Sequence, residues 1–187
     1  MSTDTSAGKD LGISSQVNVA QGVHLSAGQK VLVGSVLDLF AGKPSLPKLR
    51  LWTDDATFAD PLTQAQGRKQ FQAQWYGLQA AFSEINQLHS QVTSAGNPIL
   101  LDLKTRYVVK GLGKEQIVNS VVRIHTEGVE GGEEADEMGT GLRIRQVEDR
   151  WDGEIPDGPI AKVFRNLNSV VVPALVSVPK NAEEEKK

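Results

Sequence analysis

The chain has 187 residues, of which 39% are hydrophobic, and a formal net charge of −3 at pH 7. This length suits one domain with flanking segments, and we expect the domain to span residues 26–153. Lysine and arginine are spread along the chain, which argues against a nucleic-acid partner, since nucleic-acid binders usually carry a basic stripe. No apolar run approaches the roughly 18 residues of a spanning helix, so we expect no membrane partner.

The chain contains no cysteine, and its first residues are polar. The absence of cysteine excludes disulfides, thiolate zinc sites and thiol nucleophiles. A start without a basic and then apolar segment is typical of a cytoplasmic protein. No glycine-rich nucleotide motif follows a strand, so we expect a soluble cytoplasmic protein with no cofactor and no metal site.

The first predicted elements are an arm and a helix. Residues 1–25 are mostly small and polar and predict a flexible N-terminal arm, with a short extended piece at 15–19. A helix is predicted to begin at its N-cap Ser26 and to end before Gly42 and Pro44. Its buried face is marked by apolar residues at helical spacing, namely Leu32, Val36, Leu39 and Phe40.

A short helix, a short strand and a long helix are predicted next. Residues 45–52 predict a second short helix and 56–59 a short strand. Residues 67–82 predict the clearest helix of the chain, with Phe71, Trp75, Leu78 and Phe82 on one face. Burying each large side chain contributes about 1.5–3 kcal/mol, so this helix must pack on a broad surface.

After residue 85 the hydrophobic period changes from helical spacing to alternation. Strands are predicted at 85–94, 101–109, 115–125 and 142–151, each with one buried and one wet face. The glycine- and acid-rich segment 127–140 predicts an exposed loop. Short connections between these strands predict an antiparallel sheet.

The C-terminal region divides into two parts. Residues 154–180 form an apolar extension, with Ile160, Phe164 and Leu167 at helical spacing, that we expect to pack on the domain or on a dimer partner. Residues 181–187 predict a disordered, charged tail.

Several motifs resemble the nuclear transport factor 2-like superfamily, in particular its SnoaL-like, ketosteroid isomerase-related domains. The motifs are Phe40-Ala41-Gly42, the string from Asp54 to Pro61, Gly67 with Phe71 and Trp75, and Asp149-Arg150-Trp151. They cover about residues 28–152. The string from Asp54 to Pro61 is particularly similar to the bacterial ketosteroid isomerases, whereas the chain as a whole, with the segment after Trp151, is nearer to uncharacterised fungal SnoaL-like proteins. The resemblance implies an α+β fold, in which a curved antiparallel sheet forms a cone around about three N-terminal helices and a deep pocket.

Asp60 has two interpretations. The resemblance to the isomerases implies that Asp60 is a general base, because their matching aspartate moves a proton between substrate carbons. Burial near an apolar pocket would raise its pKa and suit it to this work. Alternatively, Asp60 and Pro61 form a structural turn, in which the aspartate accepts hydrogen bonds from backbone N–H groups.

Proton abstraction beside a carbonyl also needs donors aimed at the developing oxyanion. The isomerases use a tyrosine on the first helix and a protonated aspartate on a late strand. The matching positions in this chain are Ser35 and Ser120, and neither serine is a strong donor. The resemblance therefore predicts a base without its usual partners.

Other members of the superfamily use a catalytic histidine or an Asp-Arg-Asp network. His89, in the strand after the aromatic helix, is a candidate catalytic histidine of the kind used in scytalone-type dehydration. The epoxide hydrolase pattern needs an Asp-Arg-Asp network, but Asp102 and Arg106 lie on the predicted wet face. Asp149 and Arg150 point to opposite sides of a regular strand.

We expect the pocket to be lined by aromatic and small residues of the helices and sheet: Ser35, Trp52, Phe58, Trp75, Tyr76, Tyr107, Ser120 and Val122. The predicted function is binding of a small apolar or aromatic metabolite, with cofactor-independent isomerase, cyclase or dehydratase chemistry at Asp60. The alternative is a non-catalytic binding or assembly module. It would form a homodimer through its sheet face, with Val118, Val122 and Ile124 at the interface.

Overall fold

The computed structural model describes residues 11–129, 140–153, 158–168 and 177–185. Most of the predicted acidic loop and the apolar stretch at 170–176 lie outside the described residues, as do both chain ends. The elements in chain order are α1 (Ala27–Phe40), α2 (Leu46–Leu49), β1 (Trp52–Ala59), β2 (Gln64–Gln66), α3 (Arg68–Ala81), β3 (Phe82–Ser94), β4 (Ile99–Val109), β5 (Glu115–Gly128), β6 (Leu142–Asp152) and α4 (Pro159–Asn168).

The start of α1 is fixed by a reciprocal cap. The Ser26 hydroxyl accepts a hydrogen bond from the Gln29 N–H at 3.1 Å, and the Gln29 side chain accepts one from the Ser26 N–H at 3.0 Å. This capping box confirms Ser26 as the N-cap. Helix α2 is shorter than predicted, because the Leu51 carbonyl accepts a hydrogen bond from Ile144 at 2.8 Å and the chain enters the sheet there.

The sheet has six described strands in the order β2-β1-β6-β5-β4-β3. The four strands predicted to form an antiparallel sheet, β3 to β6, do so, and β2 is antiparallel to β1. The pairing of β1 with β6 is parallel and makes the whole sheet mixed, because β1 precedes the long meander and pairs with its last strand. The helices and the curved, open sheet form the predicted α+β cone.

The inner face of the sheet carries the core. Alternating residues of β4 and β5 are buried there, including Leu101, Tyr107 and Val122. The outer face of β4 is polar, and Arg106 pairs with Glu84 and Glu115 on the neighbouring strands. This alternation follows from the two-residue period of a strand with one solvated face.

Residues 11–25 of the predicted arm lie against the domain. Leu11 is buried, and Val92 of β3 donates to the Asn18 carbonyl at 2.8 Å and accepts from Ala20 at 2.9 Å. The pairing of β3 with β4 is interrupted by three register shifts. None of the helices that the structure describes is long and apolar enough to cross a membrane.

We expect Gly128→Ala, at the end of β5, to destabilise the fold by about 1–3 kcal/mol or more. Gly128 has φ of 93°, and an added Cβ would overlap the carbonyl oxygen of Gly141. Gly111→Ala is the matched control, because Gly111 also has positive φ (79°) but open space around it. Thermal unfolding should show the larger loss for Gly128→Ala, and equal losses would contradict the overlap argument.

Candidate active site

A small cavity lies between α3 and the inner face of the sheet. Its volume is about 20 Å³, which is room for about one water molecule. Its walls are mostly apolar, with Phe40, Phe58, Trp75, Leu78, Val118 and Phe164 among them, and its polar groups come from Asp60, Gln74, Tyr107, Asp149 and Trp151. Polar groups thus converge in an apolar enclosure, as in small-molecule sites, but the enclosed volume is far below the roughly 300–1,000 Å³ of such sites.

Asp60 follows β1 at the point where the chain turns away from the sheet. Its Oδ1 accepts a hydrogen bond from the Leu62 N–H at 2.7 Å, and its own N–H donates to the Thr63 carbonyl at 3.0 Å. Burial raises the pKa of Asp60, against the opposing effect of hydrogen bonds from Thr63 and Leu62. The turn therefore holds the carboxyl group in the cavity wall, so the structural and chemical interpretations of Asp60 are compatible.

Asp149, on β6, is the site residue that the sequence interpretation missed. Its side chain is buried, with the residue only 6% exposed, and its Oδ2 accepts a hydrogen bond from the Trp151 indole N–H at 2.7 Å. Burial raises the pKa of Asp149 to about 7, and the charge of Asp60 raises it further. The polar side chains of Ser120 and Trp151 act in the opposite direction, because they stabilise the charged form. Such a carboxyl group is half protonated near neutral pH.

Three polar atoms of the cavity residues have no hydrogen-bond partner among the residues that the structure describes. They are Oδ1 of Asp149, Oε1 of Gln74 and the indole Nε1 of Trp75, and all three are buried. Buried polar atoms are nearly always hydrogen-bonded, so an unpartnered one indicates a place for a water molecule or a ligand.

Tyr107, from β4, is the third titratable group at the cavity. Burial raises its pKa, and the charges of Asp149 and Asp60 raise it further. Tyr107 therefore stays neutral and keeps its hydroxyl proton as a donor.

The C-terminal extension contributes one wall of the cavity through α4. The ring centroid of Phe164 lies 5.3 Å from Phe82, 5.5 Å from Tyr107 and 5.2 Å from Trp151. These contacts place this part of the extension on the domain itself. The side chains of Ile160 and Leu167, predicted to share this face, lie outside the described residues.

A second, open cleft of about 350 Å³ lies on the other side of the two acids. The parallel pairing of β1 with β6 ends at Ala59 and Glu148, and beyond it Pro61 turns the chain away. The cleft occupies the gap, and Asp60 and Asp149 line both it and the inner cavity. Asp60 and Asp149 therefore take part in the walls of both the inner cavity and the open cleft.

Some of the predicted pocket residues line the cavity, and others lie beside it. Phe58, Asp60, Trp75 and Tyr107 line the cavity. Ser120 and Val122 lie beside it on β5, where Ser120 pairs with Trp151 and Val122 with Asp149. Ser120, which matches the position of the isomerases' protonated aspartate, thus lies near Asp149 of the neighbouring strand.

The other predicted site residues lie elsewhere. The buried Ser35 hydroxyl donates to the Leu32 carbonyl at 2.7 Å, and Trp52 stacks on Phe71 at 5.1 Å within the core. The Tyr76 hydroxyl donates to Glu185 at 2.5 Å. His89 is exposed on β3, outside the cavity. In the described ranges, no group of three or more His, Cys, Asp or Glu residues could hold a metal ion.

Two solved structures are similar to this chain over most of their length. A steroid delta-isomerase from Pseudomonas aeruginosa has a TM-score of 0.50 at 13% identity, covering 78% of this chain and 92% of that chain. A protein of unknown function from Mycobacterium tuberculosis has a TM-score of 0.50 at 11% identity, covering 82% and 92%. No protein-family model and no curated protein matches the sequence. The likeness shows the fold alone, an α+β arrangement that this chain shares with both structures.

Proposed function

We propose that the chain binds a small apolar or aromatic carbonyl compound and transfers a proton at the carbon beside the carbonyl, without a cofactor. One observation carries the proposal: the buried Asp149, with an unpartnered Oδ1, shares an apolar cavity with Asp60. Two carboxyl groups with different surroundings supply a base and a proton-bearing donor at the same pH.

The two roles follow from the hydrogen bonds of each group. The Leu62 N–H stabilises the charged form of Asp60, which makes Asp60 the base. Asp149 keeps its proton up to a pH of about 7 and donates it in a hydrogen bond to the carbonyl oxygen. Tyr107 is a second possible donor from the same wall.

In the proposed reaction, Asp60 removes the proton from the carbon beside the carbonyl. The C–H electron pair forms a carbon–carbon double bond, and the carbonyl electrons move to the oxygen, where Asp149 stabilises the negative charge. Protonated Asp60 then returns the proton to the same carbon or to a conjugated one. The second outcome is an isomerisation, which leaves the enzyme unchanged.

Asp60→Asn should lower this activity by about 10²–10⁴-fold, since it removes the base. The probe is 2-tetralone in deuterium oxide, a flat ketone whose exchange of the hydrogens beside the carbonyl is followed by NMR. Asp55→Asn, the same change at an exposed position of β1, is the matched control and should keep the wild-type rate. A wild-type chain no faster than buffer, or an unaffected Asp60→Asn variant, would contradict the proposal.

A non-catalytic binding or assembly module is the second candidate, and the small volume of the cavity, about 20 Å³, favours it. Val118, Val122 and Ile124 are buried in the core, so they are not available for the predicted interface. A homodimer through the sheet would use its outer face, where Ile117 and Val121 are exposed. Under this alternative the wild-type chain would show no exchange activity, and its mass in solution would be that of a dimer.

A further inference from the structure

The most unusual occupant of the cavity region is the ring of Phe164. It lies among Phe82, Tyr107 and Trp151 with ring-centroid distances of 5.1–5.5 Å within this group. Tyr107 and Trp151 meet it edge-on, with interplanar angles of 90° and 70°. These are the favoured geometries for aromatic pairs, so the three side chains form a site that fits one phenyl-sized ring.

This ring site is continuous with the two acids. Trp151 contacts the Phe164 ring and also donates its indole N–H to Asp149 at 2.7 Å. Tyr107 contacts the same ring and lines the cavity together with Asp60 and Asp149. The buried, unpartnered Oδ1 of Asp149 therefore belongs to the same enclosure as the ring.

We propose that Phe82, Tyr107 and Trp151 form a ring-binding subsite, which Phe164 fills in this structure, and that its ligand is a compound with one planar six-membered ring bearing an oxygen. The ligand ring replaces the Phe164 ring, and its oxygen meets Oδ1 of Asp149. This inference deepens the proposed function, on which it rests for the reaction, by naming the substrate class.

Occupancy by Phe164 has a measurable consequence for affinity. A ligand must compete with a ring that is tethered to the chain, so its apparent affinity falls by the fraction of molecules in which the subsite is open. Removing the Phe164 ring should therefore strengthen binding rather than weaken it. A residue with only a packing role gives no such gain for a ligand that needs Asp149.

The test is calorimetry of phenol and toluene with three full-length chains: wild type, Phe164→Ala and Phe71→Ala. Phe71 is also a fully buried phenylalanine, but it stacks on Trp52 and does not line the cavity. Phe164→Ala should bind phenol at least about tenfold more tightly than the other two chains. It should also prefer phenol to toluene by about fivefold, the effect of one hydrogen bond. An equal gain in Phe71→Ala, or no preference for phenol, would overturn the proposal.

A second measurement needs no variant. In the wild-type chain, saturating phenol should speed amide hydrogen exchange in α4, for example at Lys162, whose N–H donates to the Gly158 carbonyl. Bound phenol with unchanged or slower exchange in α4 would overturn displacement of Phe164. Phenol binding without hydrogen exchange in 2-tetralone would contradict the proposed reaction but not the ring-binding subsite. Hydrogen exchange in 2-tetralone that depends on Asp60, without phenol binding, would contradict the subsite but not the reaction.

Discussion

Replacing Asp149 with asparagine should stabilise the protein above pH 7, by about 2–4 kcal/mol, while it lowers the proposed activity. The ordinary pKa of this carboxyl group is 3.8, and burial raises it to about 7. Asparagine has nearly the same shape and never becomes charged, so it removes the free energy needed to hold a buried carboxylate.

The sign of this effect depends on pH. Between 3.8 and about 7, the folded chain keeps the Asp149 proton that the unfolded chain has lost, so stability falls as the pH rises through this window. At lower pH both states are protonated, and the wild type and Asp149→Asn should differ little. Above about 7 both states are charged, and the difference should be largest and constant.

Chemical denaturation at about pH 4 and about pH 8.5 measures this difference directly. The control is Asp152→Asn, the same change at an exposed position of the same strand, which should have a small effect at both values. A gain from Asp149→Asn that is the same at both pH values would show that the pKa of Asp149 is not raised in the folded chain.

Asp38→Ala should have the largest destabilising effect, on the order of 3–5 kcal/mol. The Asp38 side chain is 0% exposed and forms an ion pair at 2.8 Å with Lys48, whose side chain is 6% exposed. Burial acts to raise the pKa of Asp38, but hydrogen bonds from Lys48, Ser15 and Ser14 hold it below its ordinary value. The variant therefore leaves a buried ammonium group without its counter-charge, and it also releases the arm from α1.

The double variant Asp38→Leu/Lys48→Met separates these two contributions. Replacing both charges with apolar groups removes the unpaired ammonium, so the loss should be smaller than for Asp38→Ala alone. The remaining loss reports the hydrogen bonds from Ser14 and Ser15 to Asp38, at 2.6–3.1 Å. Thermal unfolding measures both losses, and a double variant less stable than Asp38→Ala would exclude the ion-pair explanation.

Local patterns predicted most of the fold because each element here follows its own periodicity. The N-cap Ser26, the aromatic face of α3 and the alternation of β4 are visible in short windows of sequence. The parallel pairing of β1 with β6 is not, since it joins segments about 90 residues apart and no local pattern specifies so distant a partner. The docking of the arm is equally invisible in short windows, because it depends on hydrogen bonds from Ser14 and Ser15 to Asp38, more than 20 residues away.

The candidate site could be predicted only in part, because it too joins residues that are distant in the sequence. Its motif indicates Asp60, whereas the alternation of a strand places Asp149 and Arg150 on opposite sides and so gives no Asp-Arg-Asp network. That alternation was correct, and it also placed Asp149 on the same face as Val147, which is buried. The sequence could not show that Asp149 and Asp60 line the same cavity, nor that Phe164 forms part of its wall.

The irregular pairing of β3 with β4 has a consequence for association between molecules. An exposed edge strand is a template on which another chain can add, and it leads to aggregation when it is long and regular. Here three register shifts bend β3, and the arm covers it around Val92 through hydrogen bonds with Asn18 and Ala20. Edge-to-edge stacking is thereby discouraged along this strand, so an added chain would find few free backbone groups around Val92.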